Sequence, residues 1–99
     1  MNLLDKNQLD FVIRAIHTIL PDAKIKFFGS RVKGTAKRYS DLDVALDIGA
    51  EIPLLKIDQL NETFSQSELP FKVDLIDIYT VSKDFRDLIF KESGEPNVA

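Results

Sequence analysis

FFGSRVKGTAKRYSDLDVALD, residues 27–47, joins two apolar segments through a basic, glycine-containing loop. The first segment ends in a small turn, Phe28-Gly29-Ser30-Arg31; the second begins with Ser40-Asp41-Leu42-Asp43, two carboxylates one residue apart. In a strand, side chains at i and i+2 point to the same face. Asp41 and Asp43 should therefore stand side by side, with Leu42 and Val44 packing behind them. Two ionised carboxylates held that close repel each other, a cost that a bound cation relieves. Their hard oxygen donors suit Mg²⁺ or Mn²⁺, ions commonly shared with substrate phosphates. The neighbouring Gly29-Ser30 turn offers backbone N–H groups and a hydroxyl, which is what phosphate oxygens require.

Outward from this stretch, periodicity lays out the remaining elements. Leu9, Val12, Ile13, Ile16 and Leu20 recur at spacings of three and four, the mark of an amphipathic helix with Asp5 as N-cap and Pro21 as its stop. Residues 23–28 alternate, with Ile25 and Phe27 on one face, and predict a strand. Residues 31–36 predict a short helix or turn, and 41–46 the second strand. Beyond a loop over 49–53, Leu54, Ile57, Leu60 and Phe64 mark a second amphipathic helix that ends before Pro70. Residues 71–78 predict a third strand, with Val73 and Leu75 opposite Asp74, Ile76 and Ile78. Ser82 resembles the N-cap of a last helix carrying Phe85, Leu88 and Ile89, with Gly94 as its C-cap. This order predicts an α+β fold: a small mixed sheet of three or more strands covered by helices on one face, with Asp41, Asp43 and Asp74 on the open face.

Asp74 is the expected third carboxylate. Paired metal ions sit about 3.5–4 Å apart and need a carboxylate that bridges them, a task two aspartates at i and i+2 can share with one from a neighbouring strand. Val73 and Leu75 suit a packed face, which turns Asp74 outward. Asp77 has the opposite parity and points into the helical layer unless the strand bulges or ends first. Asp47 shares the parity of Asp43, but four residues of strand at roughly 3.3 Å each carry it too far away. Metal-assisted phosphoryl or nucleotidyl transfer is the chemistry that such a set serves.

Composition narrows the field. The chain has 99 residues, 44% of them hydrophobic, enough for one packed core; with no repeat or linker, 1–99 is expected to be a single domain. There is no cysteine, which excludes disulfides and thiolate metal sites and favours an intracellular setting; a single histidine argues against a His-based zinc centre. Asp5, Lys6, Asp10 and Arg14 interrupt the apolar N-terminus, so neither a signal peptide nor a membrane span is expected, and the localisation read is cytoplasmic. The net charge of −3 hides an asymmetry: residues 24–38 hold Lys24, Lys26, Arg31, Lys33, Lys37 and Arg38 with no acid among them. From Glu51 onward, acids outnumber bases ten to five. A short basic segment beside a carboxylate pair fits one polyphosphate better than a polymer, so no stable nucleic-acid binding is expected. Lysines that merely solvate a loop account for Lys33 and Lys37 equally well.

Other patterns lead elsewhere. Gly29 and Gly34 are spaced like the glycines of a P-loop, but Thr35 and Ala36 follow where its lysine belongs, and no G-x-G-x-x-G exists for a dinucleotide. His17 lies at the margin of the first helix's apolar stripe and reads as a packed or solvated residue. Tyr39 and Tyr79 read as strand-end aromatics, Tyr39 with the option of stacking on a base. Phe90 is a candidate partner contact, and the set of aromatics on so small a chain suggests association, including a homo-oligomer.

Gly29-Ser30, ten intervening residues and Asp41-x-Asp43 together resemble the signature of the nucleotidyltransferase superfamily that includes DNA polymerase beta and kanamycin nucleotidyltransferase. The fuller run GSRVKGTAKRYSDLDVALD is similar to the minimal nucleotidyltransferase (MNT) group, and VDLIDI and SKDFRDLIFKE look like that group's closing strand and helix. The resemblance implies a nucleotidyltransferase fold in which Asp41 and Asp43 ligate Mg²⁺ and Asp74 is the third carboxylate. It implies that Gly29 and Ser30 hold the β- and γ-phosphates of ATP or another NTP. Arg31 either assists there or braces the turn, and Ser40 fixes the rotamer of Asp41. In the family, an acceptor hydroxyl attacks the α-phosphorus in line and pyrophosphate leaves, with Asp74 the candidate to help take the hydroxyl proton. MNT proteins are commonly paired with a small helical HEPN protein, as antitoxin to its RNase toxin. The implied function is transfer of AMP to a hydroxyl of that partner; the alternative is a non-catalytic, nucleotide-binding or partner-occluding module.

Overall fold

A computed structural model of the protein describes residues 4–98. The first helix, α1 (Lys6–Ile19), starts where Asp5 accepts the Gln8 backbone N–H at 2.8 Å while the Gln8 side chain accepts from Asp5 N at 2.9 Å. This reciprocal capping satisfies donors that a helix start otherwise leaves unpaired. Leu20 closes α1, one residue before Pro21. Strand β1 (Lys24–Phe28) follows, then a one-turn helix α2 (Ser30–Lys33), strand β2 (Leu42–Asp47), helix α3 (Leu54–Ser65), strand β3 (Val73–Asp77) and helix α4 (Lys83–Glu92). Ser82 caps α4 as expected, accepting from Phe85 N at 3.1 Å.

The strands form one mixed sheet in the order β1-β2-β3. β1 runs antiparallel to β2 and pairs Phe28 with Asp43; β2 runs parallel to β3 and pairs Asp43 with Asp74. Alternation then sorts every side chain. Phe27, Leu42, Val44, Leu46 and Val73 face α1 and α3 and meet Val12, Ile16, Leu60 and Phe64 in the main core. Phe28, Ala45 and Ile76 face the other way, the side that carries Asp43 and Asp74.

Three expectations are corrected. Helices do not cover one face alone: α4 lies on the carboxylate side, where Ile89 packs with Phe28, Ala45 and Ile78. Gly94 is not a C-cap: Ser93 closes α4 in an extended conformation, and Gly94 N donates to the Phe27 carbonyl at 3.0 Å along the outer edge of β1. Leu54 does not join the apolar stripe of α3, standing 74% exposed at its first turn.

Asp77 shows what a buried carboxylate does when it belongs to the fold. It pairs with Leu46 on the core-facing side, is 8% exposed, and accepts from Ile52 N at 2.8 Å and Tyr79 N at 2.9 Å. It ties the loop before α3 to the end of β3. Asp77→Ala should cost about 2–4 kcal/mol, because two backbone donors lose a charged acceptor. Urea unfolding measures that loss, while nucleotidyl transfer assayed well below the midpoint should stay near wild type.

Candidate active site

Strand register builds the acidic centre. Asp43 is the second residue of β2 and Asp74 the second of β3, and parallel pairing sets them directly opposite on the same face. Asp41 precedes β2 and is exposed, so it reaches this centre from the loop rather than from the strand. Burial, then Asp74, then Asp41 push the Asp43 carboxyl up from 3.8 to about 6. Asp74 and Asp41 thus both act on Asp43. Among the described residues no three acidic or imidazole side chains form a ready-made cage for an ion. An ion held here would complete its shell with phosphate oxygens and water, the usual arrangement for Mg²⁺. The donor chemistry fits: hard carboxylate oxygens, mutual repulsion to relieve, and no sulfur or imidazole competing.

Gly29 is shaped around Asp43. Its φ of 79° and ψ of −158° lie where side chains are rarely found. A Cβ built on it would overlap Asp43 Oδ2 and lie 3.0 Å from Cγ. The carboxylate therefore rests against the glycine backbone, and the Gly29-Ser30 turn adjoins the acidic centre with no side chain between. Ser30 opens α2, half-buried, and Gly34 closes that helix with a φ of 82°.

Arg31 and Ser40 support the loop between turn and carboxylates. Arg31 is 2% exposed; Nε donates to the Ser40 carbonyl at 3.0 Å, Nη2 to the Arg38 carbonyl at 3.3 Å, and the guanidinium lies 4.5 Å from the centroid of the Phe71 ring. Burial lowers its pKa, and Asp41 offsets only part of that. Of the two roles open for Arg31, this geometry describes a brace. Ser40 Oγ accepts from Lys37 N at 2.7 Å, closing the turn that delivers Asp41. Tyr39 is 66% exposed beside Arg38. Asp47 accepts from Gly49 N in the turn at the other end of β2, and His17 Nε2 lies 3.1 Å from the Ala23 carbonyl, both away from the site. Phe71 reads from the sequence as core or interface; a ring that stacks on Arg31 has no signature of its own.

Comparison with known proteins agrees with this arrangement. Residues 15–95 match the family model described as polymerase beta, nucleotidyltransferase. A Haemophilus influenzae protein named "Probable protein adenylyltransferase MntA" is 44% identical over 88 residues, covering 89% of this chain and 77% of the relative. A crystal structure of a toxin–antitoxin with AMP-PNP superposes with a TM-score of 0.74 at 23% identity, covering 91% of this chain and 73% of the other. A structure described as a minimal nucleotidyltransferase gives 0.64 at 23% identity, with 93% and 96% covered. With the acidic pair, the glycine turn and the sheet in this order, the chain belongs to the polymerase beta nucleotidyltransferase family and is a nucleotidyltransferase.

Proposed function

We propose that this protein transfers AMP from ATP, with Mg²⁺, to a hydroxyl of a small helical HEPN-type toxin and so acts as its antitoxin. The observation that carries the reading is the Asp43–Asp74 pair, with the Asp43 carboxylate seated against Gly29. The adenylyl group and protein acceptor are suggested by the MntA relative at 44% identity. Asp41, Asp43 and Asp74 would hold the ion, which when bound neutralises triphosphate charge and makes the attacking oxygen more acidic. The Gly29-Ser30 turn receives the β- and γ-phosphates through backbone N–H groups and the Ser30 hydroxyl. The acceptor oxygen forms its bond to the α-phosphorus as the α–β anhydride bond breaks and pyrophosphate departs. Asp74 takes the hydroxyl proton.

The test combines the protein, α-labelled ATP, Mg²⁺ and the toxin encoded beside it. Label should enter the toxin, and Asp41→Ala should reduce the rate at least about 100-fold. Absence of label, with Asp41→Asn/Asp43→Asn protein neutralising the toxin as well as wild type, would replace catalysis by occlusion. Among the described residues no helix is long and apolar enough to cross a membrane.

A further inference from the structure

Arg31 touches three parts of the site at once. It directly follows Ser30 of the phosphate turn. Its side chain binds the carbonyls of Arg38 and Ser40, the second of which belongs to the peptide leading into Asp41. Its flat face lies on Phe71, three residues before Asp74. Behind it, the Arg31 carbonyl accepts from Asn97 N at 2.8 Å, so the backbone from which this side chain reaches is itself held. The loop it grips is stiffened from within, since Ser40 N donates to the Lys37 carbonyl at 3.0 Å and Ser40 Oγ accepts from Lys37 N.

We propose that Arg31 is a positioning residue that fixes Asp41 relative to the Gly29-Ser30 turn, so that triphosphate and divalent cation bind cooperatively. The proposal rests on the reading of the turn as phosphate site and of Asp41, Asp43 and Asp74 as cation site. Pairing of Phe28 with Asp43 sets the turn against that carboxylate, but Asp41 precedes β2, ten residues after Ser30, and without a cross-strut its place would be left to a mostly exposed loop. Arginine suits the post because its planar fork reaches two carbonyls while its face stacks on a ring; lysine offers a single ammonium and no plane. A metal-bound triphosphate spans both half-sites and feels their separation. The cation alone keeps Asp43 and Asp74, which the sheet register holds without Arg31.

The experiment measures binding rather than turnover. Mn²⁺ alone is titrated by electron paramagnetic resonance, and α,β-methylene-ATP is titrated by calorimetry with Mn²⁺ present. Wild type, Arg31→Met, Arg31→Lys and Phe71→Leu are compared, each checked for a wild-type circular dichroism spectrum at the assay temperature. Affinity for Mn²⁺ alone should stay within about threefold across the set, while analogue affinity with Mn²⁺ falls at least about 30-fold in Arg31→Met and about 10-fold in Arg31→Lys. Phe71→Leu keeps the two hydrogen bonds and should lose only about threefold. Should Arg31→Met not fold, Arg31→Lys carries the same contrast. Equal losses of Mn²⁺ alone and of the analogue, or no loss of either in the Arg31 variants, would overturn the proposal. Wild type that binds neither ligand would overturn the underlying site, and the proposal with it.

Discussion

Gly29→Ala is expected to abolish nucleotidyl transfer and to lower the unfolding midpoint. Two costs act together. The backbone at Gly29 has a φ of 79°, which an L side chain adopts only with strain of about 1–2 kcal/mol. The added methyl would also overlap the Asp43 carboxylate, whose Cβ lies 3.4 Å from that position. Asp43 sits on the central strand, paired on both sides, so relief comes from turning its carboxylate away from the turn. Displacing one of these carboxylates by an ångström is enough to cost about 100-fold, and a complete rotation should cost at least about 1,000-fold. Gly49→Ala separates the two effects, because Gly49 also has a positive φ, 82°, but nothing lies within 4 Å of the added atom. That variant should lose about 1 kcal/mol of stability and keep its transfer rate. Label transfer and thermal melts on the two proteins decide the matter. Equal activity of Gly29→Ala and Gly49→Ala would mean that Asp43 does not need to rest on the turn.

The sequence carries the pieces of this site further than their contacts. Parity alone places Asp74 with Asp43 and turns Asp77 toward the helices, because the period of a strand is two and the flanking residues Val73 and Leu75 are apolar. Asp5 and Ser82 announce their helices because capping is a local matter of three or four residues. Which face α4 covers is not legible: the spacing of Phe85 and Ile89 defines an apolar side, but nothing local says which sheet face receives it. Gly94 misleads for a related reason. A glycine after a helix usually ends it, yet here the open edge of β1 draws the backbone into pairing with Phe27. Burial of Arg31 is a tertiary outcome too, since it needs Phe71, far along the chain, to supply the ring. Next to Ser30, Gly29 reads as half of a phosphate turn; its reason for being glycine lies across the sheet, in Asp43.

Asp43→Asn should stabilise the protein while destroying its activity. The folded chain holds the Asp43 carboxyl at about 6 against an ordinary 3.8, through burial first and then Asp74 and Asp41. A raised carboxylate means that the folded state binds the proton more tightly than the unfolded chain does. Stability from this group is therefore greatest below about pH 4, declines as pH rises toward 6, and is flat above. A rise from 3.8 to about 6 corresponds to at most about 3 kcal/mol, and partial exposure of the site reduces this to about 1–2 kcal/mol. Asparagine has no charge to lose. At about pH 8 without divalent cation, Asp43→Asn should melt about 5–10 °C above wild type, and the gain should vanish near pH 4. Mg²⁺ should reverse the order by raising the wild-type midpoint and leaving the variant nearly unmoved, because a ligand stabilises only the fold that binds it. Its hold on the wild type should weaken below about pH 6, where a proton competes for the same oxygens. Transfer by the variant should fall at least about 1,000-fold. Scanning calorimetry at the two pH values, with and without Mg²⁺, reads the stability effects, and label transfer reads the rate. A variant less stable than wild type at pH 8, or a gain that survives unchanged to pH 4, would mean that the three carboxylates do not strain the metal-free fold. On the proposed function, the repulsion that lowers stability is the same interaction that would reserve the position for a cation, and stability is given up at the residue where that chemistry would need charge.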